Sequence, residues 1–314
     1  MMEPVKPFEP ISAKVIPSGG EWIFQVKWDG VRMLVYKTDD EVELVNRNLN
    51  NRTKQYPELA DVKTYCSAAS VILDGEIIAM QNGKPSFHEV MKRDRMSRLP
   101  LILDAITEKP IIYMIFDILY LNGEWVIDKE LSERQKLLSS VIIPTDFVQI
   151  VESFSDGEGL YKAVKMQELE GIVAKDLHKP YTINGKDGRW QKLKFYKDLI
   201  AVVGGYLKKG SELQSLALGL YDSSGNLHYI GQVGKGRYKV EEWKVIKKYM
   251  ENVTQDKKPF ITKLGATKQY QWIEPIYTVK VLYLEWTNSM TLRQPLLESF
   301  VEQDPMSCLL EYEK

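Results

Sequence analysis

The chain has 314 residues, 44% hydrophobic and 27% charged, which fits a globular protein of about two domains and excludes a disordered, collagen-like or fibrous one. Forty-two Lys and Arg against 43 Asp and Glu leave a formal charge of -1, so a surface for polyanions has to come from local segregation of charge. Two cysteines, Cys66 and Cys308, exclude a disulfide scaffold and a four-thiolate zinc site and point to a reduced compartment.

Residues 1–10 carry charges and prolines but no apolar signal core, and the longest apolar run, 111–121, is broken by Asp117. A membrane span needs about 18–20 such residues, so the expectation is a cytoplasmic protein that does not enter a membrane. The first 20 residues, with four prolines, read as an extended leader over a surface.

In chain order, 22–27 alternates with Trp22, Phe24 and Val26 on one face and Gln25 and Lys27 on the other. Asp29-Gly30 then predicts a hairpin-like turn returning through 31–36. Further strands are expected at 42–46, 71–80, 111–121, 171–175 and 190–195. Helical spacing covers 132–141, with Ser132 and Gln135 as a capping box, and 157–168. A second region from 199 offers strands at 199–207, 215–221, 227–233 and 278–286, with a turn at 222–226 and a helix at 240–253. Strands interrupted by one helix suit a small Greek-key barrel of the OB type. The boundary is placed between 198 and 199.

Neither a phosphate-loop nor a dinucleotide fingerprint is present. Gly231-Gln232-Val233-Gly234-Lys235-Gly236 has the wrong spacing and reads as a turn after a barrel strand. His88, His178 and His228 are scattered and offer no triad or zinc frame.

The informative segment is Lys27-Trp28-Asp29-Gly30-Val31-Arg32, where a strand-end lysine on a polar face suits a cleft better than a core. Leu73-Asp74-Gly75-Glu76-Ile77 puts two acids on one face of an apolar strand, costly unless they meet a cation, a metal or a ligand hydroxyl. Phe116-Asp117-Ile118-Leu119 offers an aromatic ring for stacking, and Glu170-Gly171-Ile172-Val173-Ala174-Lys175 adds an acid after a helix. In Trp190-Gln191-Lys192-Leu193-Lys194, two lysines share a strand face and repel unless an anion lies between them.

In this order the segments resemble the nucleotidyltransferase motifs of ATP-dependent DNA ligases, with Arg47-Asn48 matching the short motif after the first strands. Glu285-Trp286-Thr287 and Thr291-Leu292-Arg293-Gln294-Pro295 resemble the barrel segment of bacterial LigD-type ligase domains. The resemblance implies an α+β fold: an ATP-grasp-like nucleotidyltransferase domain of antiparallel sheets and helices (1–198), then an OB-fold β-barrel (199–314).

It implies a monomeric DNA ligase that uses ATP and Mg²⁺ or Mn²⁺ to seal 5′-phosphate/3′-hydroxyl nicks in duplex DNA, in repair or end joining. A Ku-type end-binding protein is the partner it suggests. Lys27 is implied to be the adenylated nucleophile, with Gln25 accepting from the adenine amino group and Phe116 stacking on the base. Arg32 is implied at the ribose and the DNA-facing side of the pocket, and Arg47 at phosphates of nucleotide or nick. Glu76 would hold ribose or metal, Glu170 metal, and Lys192 and Lys194 the α-phosphate. A nearby Mg²⁺ and the cations Lys192 and Lys194 are expected to lower the pKa of Lys27.

Two positions depart from the family pattern. Gln25 stands where glutamate is frequent. The last motif, a basic R-x-D-K-like segment, corresponds to residues 299–305, which hold no basic residue, so a slower first step or a substitute cation such as Arg293 or Lys280 is expected. With only two domains to grip the nick, Lys92, Arg93, Arg95 and Arg98 are candidate phosphate contacts, a run equally consistent with a solvated loop. An RNA ligase, a GTP-using capping enzyme and a lapsed nucleic-acid-binding module are the competing readings.

Overall fold

In the computed structural model, residues 2–38, 41–264 and 270–310 are described. The outer limits of the two expected domains, residues 1 and 314, lie outside them. The chain divides into two compact units, the division falling between Phe195 and Tyr196.

The first unit runs β1 (Ile11–Ser12), β2 (Trp22–Val26), β3 (Val31–Lys37), β4 (Val42–Asn46), β5 (Val71–Gln81), β6 (Lys84–Pro85), α1 (Phe87–Asp94), α2 (Leu99–Glu108), β7 (Ile111–Leu121), β8 (Glu124–Trp125), α3 (Leu131–Val141), β9 (Val148–Ile150), α4 (Gly157–Met166), β10 (Gly171–Asp176) and β11 (Trp190–Lys194). These strands form two sheets: a four-stranded one in the order β1-β11-β10-β2, and a seven-stranded one built on β4-β3-β5-β7-β8, with β6 on β5 and β9 on β7.

Alternation explains the layering. On the seven-stranded sheet Met33, Val35, Leu73, Ile77, Tyr113 and Ile115 face one way, into a core with Val90 of α1 and Leu138 of α3. The opposite face presents Leu34, Tyr36 and Ile72, which pack with Trp190 of the other sheet. The four-stranded sheet turns Phe24, Ile172, Ala174 and Leu193 toward Val164 of α4. Two sheets thus meet face to face, each backed by helices, and their meeting layer is where charged residues enter.

The expected hairpin at Asp29-Gly30 is not formed. β2 pairs with β10, and β3 with β4 and β5, so residues 27–30 carry the chain from one sheet to the other. Gly30 lies so close to β5 that a Cβ would fall 2.1 Å from the Ile77 carbonyl oxygen. The glycine is there for close approach rather than for a hairpin turn.

The capping box at Ser132 is also overturned. α3 starts at Leu131 with Glu130 as N-cap, Ser132 hydroxyl bonds Glu130, and Gln135 Nε2 donates to the Phe116 carbonyl at 2.8 Å. The extended leader is built into the unit: Phe8 is fully buried and its N–H donates to Tyr181 hydroxyl, while β1 pairs with β11.

The second unit contains β12 (Lys197–Lys209), β13 (Glu212–Tyr221), β14 (Leu227–Val233), α5 (Val240–Glu251), β15 (Thr254–Gln255), β16 (Tyr270–Tyr283) and β17 (Leu296–Val301). Its sheet runs β14-β13-β12-β16-β15, with β17 on β16, around one core that takes in Trp243 and Met250 of α5. This is an OB-like β-rich domain. The turn at 222–226 forms as expected, with Asp222 Oδ1 accepting from the N–H groups of Ser224 and Asn226 and Gly225 at φ 76°.

Candidate active site

Register assembles the site on one face of the four-stranded sheet. Ile23 lies opposite Lys175, which lies opposite Trp190, and Gln25 lies opposite Val173, which lies opposite Lys192. Lys27 continues the pairing past the end of β2, its N–H donating to the Gly171 carbonyl at 2.9 Å, while Gly171 pairs with Lys194. Gln25, Lys27, Lys175, Lys192 and Lys194 therefore share a face, as period-2 alternation requires.

Glu170 reaches into this cationic row. Its Oε2 is 2.7 Å from Lys27 Nζ and its Oε1 2.5 Å from Lys194 Nζ. Burial alone would lower the Lys27 pKa, but Glu170, Glu76 and Asp29 outweigh it and the net direction is upward. The carboxylates are the nearest charges to the ammonium, and they set this direction. Lys192 behaves as its neighbours dictate: burial and the adjacent Lys194 and Lys27 lower its pKa, and among the described residues it has no ion-pair partner. An anion is the natural counterpart of that position.

The facing sheet supplies the acids and the aromatic ring. Arg32 pairs with Glu76 in register, yet its guanidinium turns to Asp74 in two bonds of 2.9 and 2.6 Å and donates to the Phe8 carbonyl. Asp74 is wholly buried and also accepts from Tyr181 hydroxyl, so its charge is met by a cation, as its sequence context demanded. Glu76 has no such clamp. Burial pushes its carboxyl up to about 7, against the pull of Lys27 and Arg32. Phe116 sits with Arg32 at 5.2 Å and Lys175 Nζ at 4.3 Å from its ring centroid, and Trp190 edge-on at 6.0 Å.

Lys175 is the functional-site residue that sequence reasoning quoted but did not assign. Burial brings its ammonium down to about 7, opposed by Asp117 and Asp74, and it lies between the rings of Phe116 and Trp190. Its two-residue offset from Val173, on the same face as Gly171, was the available signal. Asp117 itself is taken by Arg134 of α3 through bonds of 2.8 and 2.9 Å, both groups fully buried.

Gln25 is buried, with Nε2 3.0 Å from Ser153 Oγ. Arg47, just after β4, is exposed and pairs with none of the described residues. The proposed phosphate-contact run is corrected in part. Arg93 is fully buried in α1, bonded to Glu58 at 2.5 Å and the Ile102 carbonyl at 2.7 Å, and Lys92 is paired with Glu89, leaving Arg95 and Arg98 exposed. In the second unit, Arg293 pairs with Glu285 at 2.8 Å, and Lys280 lies 3.4 Å from Asp198 and 3.6 Å from Glu298.

Among the described residues no group of three or more His, Cys, Asp or Glu is arranged to hold a metal, and no helix is long and apolar enough to cross a membrane. Two carboxylates beside Lys27 nevertheless fit Mg²⁺, which takes one or two protein carboxylates and completes its shell with phosphate oxygens and water. Glu76, its charge suppressed by burial, has the chemistry of a group that awaits a cation.

A charged layer between two mainly antiparallel sheets, with an ion-paired lysine and an OB-like domain following, is a nucleotidyltransferase arrangement. The family described as "ATP dependent DNA ligase domain" matches residues 4–194, and "ATP dependent DNA ligase C terminal region" matches 209–302. The chain belongs to the ATP-dependent DNA ligase family. It is 29% identical over 293 residues to a DNA ligase of Saccharolobus islandicus (strain Y.G.57.14 / Yellowstone #1), covering 86% of this chain and 48% of that protein. The chain thus spans about half the length of such curated relatives.

It is also 32% identical over 191 residues to the SPbeta prophage-derived DNA ligase-like protein LigB of Bacillus subtilis, covering 60% of this chain and 66% of that one. Among solved structures, mycobacterial DNA ligase D complexed with ATP and MES matches at 25% identity and TM-score 0.55, with 98% of each chain covered. The ligase domain of M. tuberculosis LigD matches at 26% identity and TM-score 0.53, with the same coverage.

Proposed function

We propose that this chain is an ATP-dependent DNA ligase that seals 5′-phosphate/3′-hydroxyl nicks in duplex DNA, with Lys27 as the nucleophile. The observation that carries the reading is the placement of Lys27 Nζ 2.7 Å from Glu170 on a sheet face shared with Lys192 and Lys194. A free ammonium cannot attack phosphorus, so the ion pair with Glu170 has to be relieved before the first step.

A triphosphate entering the row gives Lys192 an anionic counterpart and competes with Glu170 for Lys194, which loosens Glu170. Glu170 and Glu76 would hold Mg²⁺, which supplies positive charge that disfavours the Lys27 ammonium and stabilises charge at phosphorus. Lys27 Nζ, having lost a proton to solvent, then forms the P–N bond to the α-phosphorus as the α–β bridge breaks and pyrophosphate departs with the electron pair. Gln25 and Phe116 would meet the adenine by hydrogen bond and stacking, and Arg32 would face the ribose side.

The 5′-phosphate oxygen of the nick next attacks the AMP phosphorus, and the P–N bond returns its pair to Lys27. Finally the 3′-hydroxyl attacks the 5′-phosphorus and AMP leaves. Each step is an in-line displacement at phosphorus, which lets one cationic pocket serve all three. Arg47, exposed beside β4, and Arg95 and Arg98, also exposed, would contact DNA phosphates.

The test is self-labelling with α-labelled ATP or GTP and Mg²⁺, read on a denaturing gel beside Lys27→Ala, followed by sealing of matched DNA and RNA nicks. ATP-derived label that vanishes in the variant, followed by DNA sealing, is expected. GTP-derived label alone, or no label from protein shown to be folded and free of AMP, overturns the reading.

A further inference from the structure

Residues 151–154 form a strap between the two sheets. Val151 N–H donates to the Ile115 carbonyl of β7 at 2.8 Å, and Phe154 exchanges both main-chain bonds with Phe24 of β2, at 2.8 and 2.9 Å. The strap therefore runs beside Gln25 with its position fixed at both ends. From it, two acceptors meet the Gln25 side chain: Ser153 Oγ lies 3.0 Å and the Val151 carbonyl oxygen 3.5 Å from Nε2.

A carbonyl only accepts, so the end of the amide facing Val151 has to be the NH₂ group. Turning the amide over would oppose two oxygens and orphan the NH₂. The strap thereby turns Oε1 to the opposite end of the amide, away from Val151, and among the described residues the Gln25 side chain is bonded through Nε2 alone.

We propose that Ser153 is a positioning residue for base selection, holding the Gln25 amide so that an acceptor is presented to the base of the incoming nucleotide. The inference rests on the adenylation reading above. A purine with an exocyclic 6-amino group donates to that oxygen. A 6-oxo purine sets oxygen against oxygen and is refused, because a buried polar pair without a hydrogen bond is costly. Glutamine thus serves where glutamate is frequent in the family, provided that its two ends are held apart. Glutamate at 25 would direct a carboxylate oxygen at the Val151 carbonyl.

The experiment measures KM and maximal rate of self-labelling with α-labelled ATP, GTP and purine riboside triphosphate, which lacks the 6-amino group. The proteins are the wild type, Ser153→Ala and Ser153→Thr. Ser153→Ala is expected to raise KM for ATP about 3- to 10-fold, the weight of one neutral hydrogen bond, with maximal rate unchanged. KM for purine riboside triphosphate should stay put, ATP-over-GTP preference should shrink, and Ser153→Thr, which keeps the hydroxyl, should restore it.

An unchanged KM for ATP in Ser153→Ala, or equal losses with ATP and the analogue lacking the amino group, overturns the proposal while leaving adenylation intact. Absence of label from wild-type protein with any nucleotide overturns both.

Discussion

The Lys27 ammonium and the Glu170 carboxylate face each other at 2.7 Å beside the paired ends of β2 and β10, in one sheet. The pair opposes the chemistry proposed for Lys27, because an opposite charge at that distance favours the protonated amine. Glu170 has a second grip on Lys194, so the same carboxylate also neutralises a cation proposed to meet phosphate. One acid thus engages both the proposed nucleophile and a lysine proposed to meet phosphate, and a triphosphate and a divalent ion would compete for its partners.

Glu170→Gln removes that engagement and also the proposed metal ligand. The sign is fixed: carboxylates raise the Lys27 pKa, and burial, which lowers it, remains in the variant. Without Mg²⁺, the pH midpoint for modification of Lys27 by an amine reagent should move down in Glu170→Gln. With Mg²⁺ and ATP, self-labelling should fall by about 10²-fold or more, since charge stabilisation at phosphorus goes with the carboxylate. A midpoint that stays fixed or rises would show that Glu170 does not control the amine.

Glu76 makes stability depend on pH in a defined window. Its carboxyl is raised to about 7 in the folded chain, above the ordinary value near 4.5, so the folded state binds the extra proton between these limits. Stability contributed by that proton is complete at the acid end of the window and is lost as pH rises through 7. Glu76→Gln, neutral throughout, should flatten the stability profile between about pH 5 and 8 and exceed wild type above 7 by roughly 3 kcal/mol. Added Mg²⁺ should recover much of the difference in the wild type alone. Parallel profiles for the two proteins would place Glu76 in water.

Lys175 titrates on the other side of neutrality. Its ammonium is lowered to about 7 by burial between the rings of Phe116 and Trp190, so the unfolded chain binds more protons from there to the ordinary lysine range. Wild-type stability should therefore rise with pH between about 7 and 10 from this group. Lys175→Met keeps the apolar stem and removes the titration, and chemical denaturation at pH 6 and pH 9 should find that rise absent. If the variant shows the same rise as wild type, the Lys175 ammonium is not the group responsible.

Gly30 tests how closely the two sheets set the position of Lys27. A Cβ there meets the Ile77 carbonyl oxygen at 2.1 Å, and backbone cannot rotate away as a flexible side chain would. Gly30→Ala should leave the circular dichroism spectrum of the sheets in place but move the link that carries Lys27. Misplacement by about 1 Å is worth on the order of 10²-fold in rate. Self-labelling close to the wild-type rate in a folded Gly30→Ala protein would mean that the link absorbs the methyl without consequence.

Much of this arrangement was legible in the sequence because strands carry their faces in their alternation. Gln25 with Lys27, and Trp190 with Lys192 and Lys194, are placed together by period 2 alone, and β4, β7 and β14 begin and end where their patterns do. Pairing partners were not legible in the same way. Asp29-Gly30 has the composition of a hairpin, and only the packing of Gly30 on β5 shows that the chain changes sheets there.

The helices α1 and α2 were hidden by the basic run at 92–98. The capping signal lay at Ser86, whose hydroxyl accepts from the Glu89 N–H, three residues on, rather than at Ser132. Arg93 could not be read as buried because its partner Glu58 comes from a distant one-turn helix, Pro57–Leu59. Lys175 was passed over for the same kind of reason: its low-dielectric surroundings come from rings on two other strands.

The C-terminal departure supports a final prediction. Residues 299–305, the stretch that corresponds to the R-x-D-K-like pattern, hold no basic residue. Arg293 and Lys280, the candidate substitutes, are each engaged by carboxylates, Arg293 by Glu285 and Lys280 by Asp198 and Glu298. A cation near the leaving pyrophosphate lowers the barrier of the first step only, because no later step releases that group.

Placing basic residues in that stretch with Glu302→Arg and Pro305→Lys should therefore speed self-labelling roughly 10-fold, about 1.4 kcal/mol at the transition state. Sealing by protein already carrying AMP should be unchanged. If both rates rise together, the added charges act through DNA affinity, and salt should then suppress the gain in sealing. If neither moves, the missing basic residues do not limit this chain.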